Sequence, residues 1–520
     1  MFKTSSSFHN AIYWGSLILL SVSLPCSLFL LSLSQIILMA NWLLEGNFHQ
    51  KWLLIKNRPA VWIIGLFYLM HLIGMIYTTN QAWGVNDLKG KLPLLILPLV
   101  IGTSTPLTKK QFSIILNCFA GSVLIFTLYS AWFIFGFDGK AAHSVNDISP
   151  FVSHIRWALM VDMAVFSLLW LFDNIRNKFR GIYILLILWF TLYIFLLQSL
   201  TGIIVFIITS GIMLLRKAFR SRQLMVRWFM VVASLTLLLL VSSYLIKAYA
   251  RFYTFEKIDV AHLDEFTSKG NIYQHHPELK FVENGHYIYL YICEPELRET
   301  WKKRSSINFD GKTSDGGELK ACLIRYLASK GFRKDSDGVN KLTNREIKYI
   351  EAGKTNYIDT LKYGFYPRIY QSIWEVYNYM HGANPTGYSI AQRFEFAKTS
   401  IHIITDNFWF GVGTGDIAEA FDLQYEKDKT MLAPENRFRA HNQFLRFGAT
   451  FGIVGLTIIL FSLIAPPFFE HKYKDYLFLC IFIISFLSFI NEDTLETHHG
   501  ISFVAFFYAL FLYYKNPDNN

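Results

Sequence analysis

Trp228–Leu245, WFMVVASLTLLLLVSSYL, carries no charged residue, and neither does Ile182–Leu200, IYILLILWFTLYIFLLQSL. About 20 consecutive apolar residues cross the hydrocarbon core of a bilayer as one helix. A helix buried in a soluble core would keep a polar face, and these stretches have none. The chain is therefore read as an integral membrane protein. Its composition agrees: of 520 residues, 53% are hydrophobic, 17% aromatic and 17% charged, with a mean hydropathy of +0.30. A soluble chain carries about a quarter charged residues.

Working outward, apolar blocks fall at 11–25, 27–45, 59–77, 91–103, 112–136, 157–172, 182–199, 200–215, 228–249, 441–465, 474–490 and 498–514. The block 91–103 is short and holds Pro93 and Pro98, so a broken or re-entrant helix is expected there. Arg216, Lys217, Arg220, Arg222 and Arg227 form a loop without an acidic residue, which the positive-inside rule puts in the cytoplasm. Counting from it, Lys51/Lys56/Arg58, Lys109/Lys110, Arg176/Lys178/Arg180 and Lys472/Lys474 share that side. The loops with Asp87, Asp138/Asp147 and Glu492/Asp493/Glu496 lie opposite, where Lys89 and Lys140 each have an acidic neighbour. The expectation is an all-α polytopic protein of about 12 crossings with both termini cytoplasmic. The net charge of +11 then reflects topology, and nucleic acid is not expected as a partner.

The same count puts residues 250–440 outside, as one large polar loop between crossings 9 and 10. His286–Glu294 (HYIYLYICE) reads as a strand, and Glu318–Lys330 and Arg345–Ala352 read as helices, giving a small α+β insert around 262–365. Ile390, Phe394, Ala397, Ile401 and Ile404 recur at helical spacing, so an amphipathic helix is expected over about 388–405. Lys3 followed by an apolar run resembles a signal peptide, and Leu24-Pro25-Cys26 a lipoprotein site. Proline before the cysteine is wrong for that, and a retained first helix is expected. Of the five cysteines, Cys26, Cys118 and Cys480 fall in apolar blocks; Cys293 and Cys322 share the outer loop, where a disulfide is chemically open.

Charge at the centre of a membrane helix costs about 2.5–3.5 kcal/mol, so charges bordering the blocks are functional candidates. His154-Ile155-Arg156 enters one crossing, although an arginine there also serves as an interfacial anchor. Arg393 lies on the amphipathic helix with Lys398 and His402 near it, which alone reads as an ordinary surface charge. Phe410-Gly-Val-Gly-Thr-Gly-Asp416 allows close backbone approach to an anion, or is a plain turn; its GxGxG spacing is not a dinucleotide fingerprint. Arg437-Phe-Arg-Ala-His441-Asn442 precedes another crossing, with a histidine suited to proton transfer. Glu492, Glu496, His498 and His499 crowd the last outer loop without a strict metal spacing. Arginines and a histidine on one face suit a substrate with a phosphate group and a hydroxyl to activate.

Three segments carry a resemblance: GYSIAQRFEFAKTSI (387–401), FGVGTGD (410–416) and RAHNQFLRFGATFGIVGL (439–456). With the late outer loop, they resemble the O-antigen ligase and O-antigen polymerase superfamily. The His154-Ile-Arg156 entry and NEDTLETHHG (491–500) are similar to ligase-like members from Bacteroidetes. The resemblance implies a glycosyltransferase of the GT-C type in the bacterial inner membrane, with its active site on the periplasmic face. Such enzymes move a glycan from undecaprenyl diphosphate to a sugar hydroxyl, on lipid A–core for a ligase or on another carrier-linked repeat unit for a polymerase. No nucleotide sugar, cofactor or metal is implied.

Carried over, Arg156 and Arg393 would hold the diphosphate and His441 would orient or deprotonate the acceptor hydroxyl. Asn442, Gly411, Gly413 and Gly415 would shape the loop, and Glu492 and Glu496 would position arginine or histidine side chains. The motif form favours a ligase over a polymerase. The insert is unlike the compact loops of many relatives, which leaves the acceptor open. A transporter is the rival class, but the notable charges sit at the outer interface and no inverted repeat is seen.

Overall fold

The computed structural model describes residues 6–135, 152–174, 180–360 and 365–515. Lys3, Asp138, Lys140, Asp147, Arg176 and Lys178, which entered the sequence reading, lie outside them, as does 361–364 of the insert. The chain is mostly helical and divides into two compact units, Met1–Ser234 with Arg393–Asn520, and Leu235–Gln392.

Among the described residues every apolar block is a helix. Lys109–Ile134, His154–Asn174, Leu200–Arg220, Leu224–Phe252 and Gln443–Phe469 are each long and apolar enough to cross a membrane. Pro59–Gly74, Arg180–Leu196, Tyr476–Asn491 and His498–Tyr513 are shorter apolar helices. Leu28–Leu44 turns through 110° into Phe48–Asn57, where Gly46 and Asn47 take positive φ. The break expected at 91–103 is absent. Gln81–Thr103 is one helix that begins a full ten residues earlier and carries Pro93 and Pro98 inside it. Its first half, Gln81–Gly90, carries Asn86, Asp87 and Lys89, which interrupt the apolar pattern by which a crossing is recognised.

His154–Asn174 is the most enclosed of the five long apolar helices, packed against Lys109–Ile134, Arg180–Leu196, Leu200–Arg220, Tyr476–Asn491 and His498–Tyr513. The first residues of His154–Asn174, Leu200–Arg220 and Gln443–Ile464 come together with the turn between Tyr476–Asn491 and His498–Tyr513. Asn491 Nδ2 donates to Thr201 Oγ1 and Asn442 Nδ2 to the Ile490 carbonyl. That end of the bundle holds the charges singled out in the sequence.

The second unit has its own core, with Leu297, Trp301, Leu319, Leu323, Leu327, Val339 and Ile350 fully buried. Helices form at Leu319–Ser329 and Asn344–Glu351, within a residue of expectation. Sheet is scarcer than expected: among the described residues the only paired strands are Val282–Glu283 and His286–Tyr287. Ile288, Leu290 and Ile292 are buried in alternation, as the pattern required. The chain nevertheless bends over 288–291, with Tyr291 at φ 55°, and no ladder forms. Glu283, buried on this hairpin, pairs with Arg325 at 2.6 Å and accepts from Asn356 Nδ2. Cys293 and Cys322 are free, buried thiols, so the disulfide left open by the sequence does not form. A helix runs from Ser389 to Asp406, with Phe394 and Ile401 of the expected apolar set exposed.

Candidate functional site

Three carboxylates come from one turn. Glu492 caps the end of Tyr476–Asn491 in extended conformation, Thr494–Glu496 makes a single 3₁₀ turn, and Thr497 caps His498–Tyr513. Glu492, Asp493 and Glu496 thus point into the bundle from one short segment, and each meets cations from other helices.

Glu492 is the meeting point. Arg393 Nη2 donates to its Oε1 at 3.2 Å, and Arg156 Nη2 stands 3.7 Å from its Oε2. His441 Nδ1 lies 3.8 Å from the same Oε2 and 3.9 Å from Asp493 Oδ1, and makes no hydrogen bond. Arg439 Nε pairs with Asp493 Oδ2. The layering has a direction. Glu492 and Asp493 side chains are 7% and 1% exposed, whereas Arg393, His441 and Arg439 are 27%, 29% and 38% exposed. Carboxylates lie beneath and cations face outward, and three guanidiniums stand over two carboxylates.

Burial works to raise the Glu492 carboxyl, but His441, Arg156 and Arg393 outweigh it and hold it below the ordinary range. For Asp493 burial wins over the Arg439 charge, and its carboxyl is raised. The backbone that presents the histidine is itself unusual. His441 has φ 46°, a region costly for a residue with a Cβ and most often kept at functional positions. Its ring is stacked on Phe396, with centroids 5.5 Å apart, one helical turn beyond Arg393. Asn442 then caps Gln443–Ile464 by accepting from Leu445 N.

Glu496 forms a second, deeper group. It pairs with Lys91 at 2.8 Å and Arg446 at 3.7 Å, and accepts from Gln443 Nε2 at 2.9 Å. Burial would raise its carboxyl, but Lys91 and Arg446 overcome that and hold it well below the ordinary range. Lys91 Nζ also donates to the Leu495 carbonyl and Gln443 Oε1 accepts from Leu495 N, which fixes the turn.

The glycine motif does something other than hold an anion. Gln443–Ile464 breaks at Gly452 (φ 62°, ψ −168°), and the broken ladder is completed by the loop. Val412 N and Gly413 N donate to the carbonyls of Ala449 and Thr450, while Ile453 N and Val454 N donate to those of Phe408 and Trp409. Gly411 N, Thr414 N and Gly415 N are bonded to Asn407 O, Gly74 O and Thr78 Oγ1. No amide from 411 to 415 is left for a phosphate. Glycine is needed for closeness, since a Cβ on Gly411 would lie 2.3 Å from the Thr450 carbonyl carbon.

Of the residues picked from sequence, Arg156, Arg393, His441 and Glu492 converge, with Asn442 adjacent; Glu496 belongs to the deeper group. His402 is turned away and bonds Asp428 at 2.9 Å, and Arg437 pairs with Glu426. His498 Nε2 is bonded to Ser32 Oγ at 3.0 Å. Asp493, Arg439, Lys91, Arg446 and Gln443 were missed as site residues. Lys91 and Arg446 did leave a signal, each being a charge inside an apolar block. His441, Glu492 and Asp493 also bring ligand atoms within 4.8 Å of one another, a spacing a metal ion accepts. The guanidiniums already shared with those carboxylates tilt the local charge toward an anion instead.

Residues 363–460 match the family model described as O-antigen ligase. The matched segment takes in Arg393, the glycine loop, Arg439, His441 and Arg446, and it supports the resemblance to the O-antigen ligase superfamily. Lys91, Arg156 and the 492–497 turn lie outside it. That match supports a membrane enzyme of O-antigen ligase or polymerase type. Comparison with curated proteins gives no match to the chain.

Proposed function

We propose that this protein transfers a glycan from undecaprenyl diphosphate to a sugar hydroxyl of lipid A–core, as an O-antigen ligase. It would do so at the periplasmic face of a bacterial inner membrane, in a GT-C-like bundle of about 12 crossings with both termini cytoplasmic. The observation that carries the reading is the convergence of Arg156, Arg393 and His441 on one buried carboxylate, Glu492.

The step assigned to these groups is a displacement at the anomeric carbon. The acceptor oxygen bonds to that carbon as the bond to the diphosphate oxygen breaks, and the electron pair leaves on the diphosphate. Configuration inverts. Arg156 and Arg393 offer guanidinium donors to the charge that grows on the leaving group. The acceptor's proton passes to His441. Two carboxylates near Nδ1 favour a proton there, which leaves Nε2 free to accept. Diphosphate is already a good leaving group, so positioning and charge stabilisation supply most of the acceleration.

The test is to delete the gene in its host and separate surface lipopolysaccharide by size, beside an extract of carrier-linked glycan. Full-length polymer kept on the carrier and absent from lipid A–core supports the ligase. Single repeat units on the core identify a polymerase. An unchanged profile in both overturns the reading for this acceptor. His441→Ala should fail to restore transfer, and near-normal transfer by that variant removes the base assignment.

A further inference from the structure

Beside the cationic cluster lies a cavity of about 200 Å³ whose walls include Trp83, Asn86, Asp87, Lys91, Arg439 and Glu496. Its charge differs in kind from that around His441. Asp87 and Glu496 balance Lys91 and Arg439, and Lys91 is held 2.8 Å from Glu496 and 3.8 Å from Asp87. A phosphate is drawn to the surplus of guanidiniums over Glu492 and gains nothing in a balanced pocket.

An indole beside an amide and a carboxylate is the chemistry that receives a neutral sugar. The apolar C–H face lies on the ring, and the hydroxyls meet paired donors and acceptors. The Trp83 ring is steadied by Arg446, whose guanidinium carbon lies 5.6 Å from its centroid. The volume suits a single sugar ring, since pockets for larger ligands run to about 300–1,000 Å³. Position completes the argument. Arg439 lines the cavity and also pairs with Asp493, whose other oxygen is 3.9 Å from His441 Nδ1. The cavity is therefore linked to the proposed base through Arg439 and Asp493.

We propose that this cavity seats the acceptor sugar that bears the attacking hydroxyl, with Asn86 and Asp87 selecting it by hydrogen bonds and Trp83 as its platform. The proposal rests on the transferase reading above and divides the site in two: diphosphate over Glu492, acceptor ring beyond Arg439.

Asn86→Ala and Asp87→Asn test it in the full-length protein in nanodiscs, with carrier-linked glycan as donor and lipid A–core from a deletion strain as acceptor. Each variant should raise the acceptor KM about tenfold, the loss of roughly one hydrogen bond, with kcat and donor KM within about twofold. An unchanged acceptor KM, or a rise in donor KM instead, overturns the assignment. A second measurement needs no turnover. Saturation-transfer NMR of free core oligosaccharide on the His441→Ala protein should show bound sugar, and adding Asn86→Ala should remove the signal. Absence of binding to folded His441→Ala protein also overturns the pocket. Binding that persists where the wild type shows no transfer keeps the pocket and counts against the transferase reading.

Discussion

Arg393 Nη2 donates to Glu492 Oε1 at 3.2 Å across 99 residues of sequence, and Arg156 approaches the other oxygen of the same carboxylate. A guanidinium has five donors in a fixed fork, so it can hold Glu492 with one edge and offer the other to a phosphate. An ammonium has three donors on one atom and cannot present a bidentate edge to the phosphate. Arg393→Lys should therefore lower kcat/KM about 10- to 100-fold, most of it as donor KM. Steady-state kinetics decide this, and a lysine variant within about twofold of wild type rules out the bidentate role.

Glu492→Gln keeps the shape of the side chain and removes the charge beneath both arginines. The fold should survive, because the amide still accepts from Arg393. Transfer should fall by about one to two orders of magnitude as Arg156 and Arg393 lose their common anchor. Activity assays paired with a thermal melt separate these effects. A melt lowered in step with activity would mean that Glu492 acts only on stability.

Glu496 sits with Lys91 and Arg446 at side-chain exposures of 4%, 2% and 5%. Removing its charge leaves buried Arg446 without a carboxylate and Lys91 with only the more distant Asp87, so Glu496→Gln should cost about 3–5 kcal/mol. Its folded carboxyl lies well below the unfolded value of 4.5. The stabilisation is thus fully present above about pH 4.5 and is lost as pH falls towards the folded value. The melting-temperature gap between wild type and Glu496→Gln should stay constant from pH 7 to 5 and narrow below that. A gap that already closes between pH 7 and 6 would assign the effect to another group.

Gly452 occupies φ 62°, ψ −168°, and a Cβ there would stand 2.3 Å from the Trp409 carbonyl carbon. Gly452→Ala should cost at least about 1–3 kcal/mol in backbone strain, and steric overlap with the loop adds to it. Gly65, in the Pro59–Gly74 helix, has open space around its Cβ position, and Gly65→Ala should be neutral or slightly stabilising. Expression level and melting temperature of the two variants give the comparison. Equal behaviour would deny the helix break any structural weight.

Helices were legible where physics is local. An uncharged run announces a membrane helix from either end, and Leu319–Ser329 and Asn344–Glu351 followed from helical spacing. What failed was decided at a distance. The alternation of Ile288, Leu290 and Ile292 is real, but a strand needs a continuous partner, and beyond Tyr287 only isolated bridges from Ile292 to Gln274 and Lys334 remain. Lys91 and Arg446 sat in apolar blocks as unexplained charges, because their partner Glu496 is remote in sequence. Arg156 and His441 each read alone as an interfacial residue, and Arg393 as an ordinary surface charge. Only their common distance to Glu492 makes them a group. The glycine motif was legible as a close approach, while what it approaches, the interrupted ladder at Gly452, was not.

The turn from Glu492 to Thr497 is six residues that answer to two clients, the outward guanidiniums through Glu492 and Asp493 and the inward Lys91 through Glu496. Exchanging one of its side chains disturbs one client, whereas a change of length disturbs the fit between the two. One added residue between Asp493 and Glu496 would shift the phase of the turn and leave either the outer or the inner cations facing a backbone carbonyl. Chain length here works as a timing constraint that links the two halves of the site, so tolerance to insertion should be lowest at a place the chain passes through as an ordinary short loop.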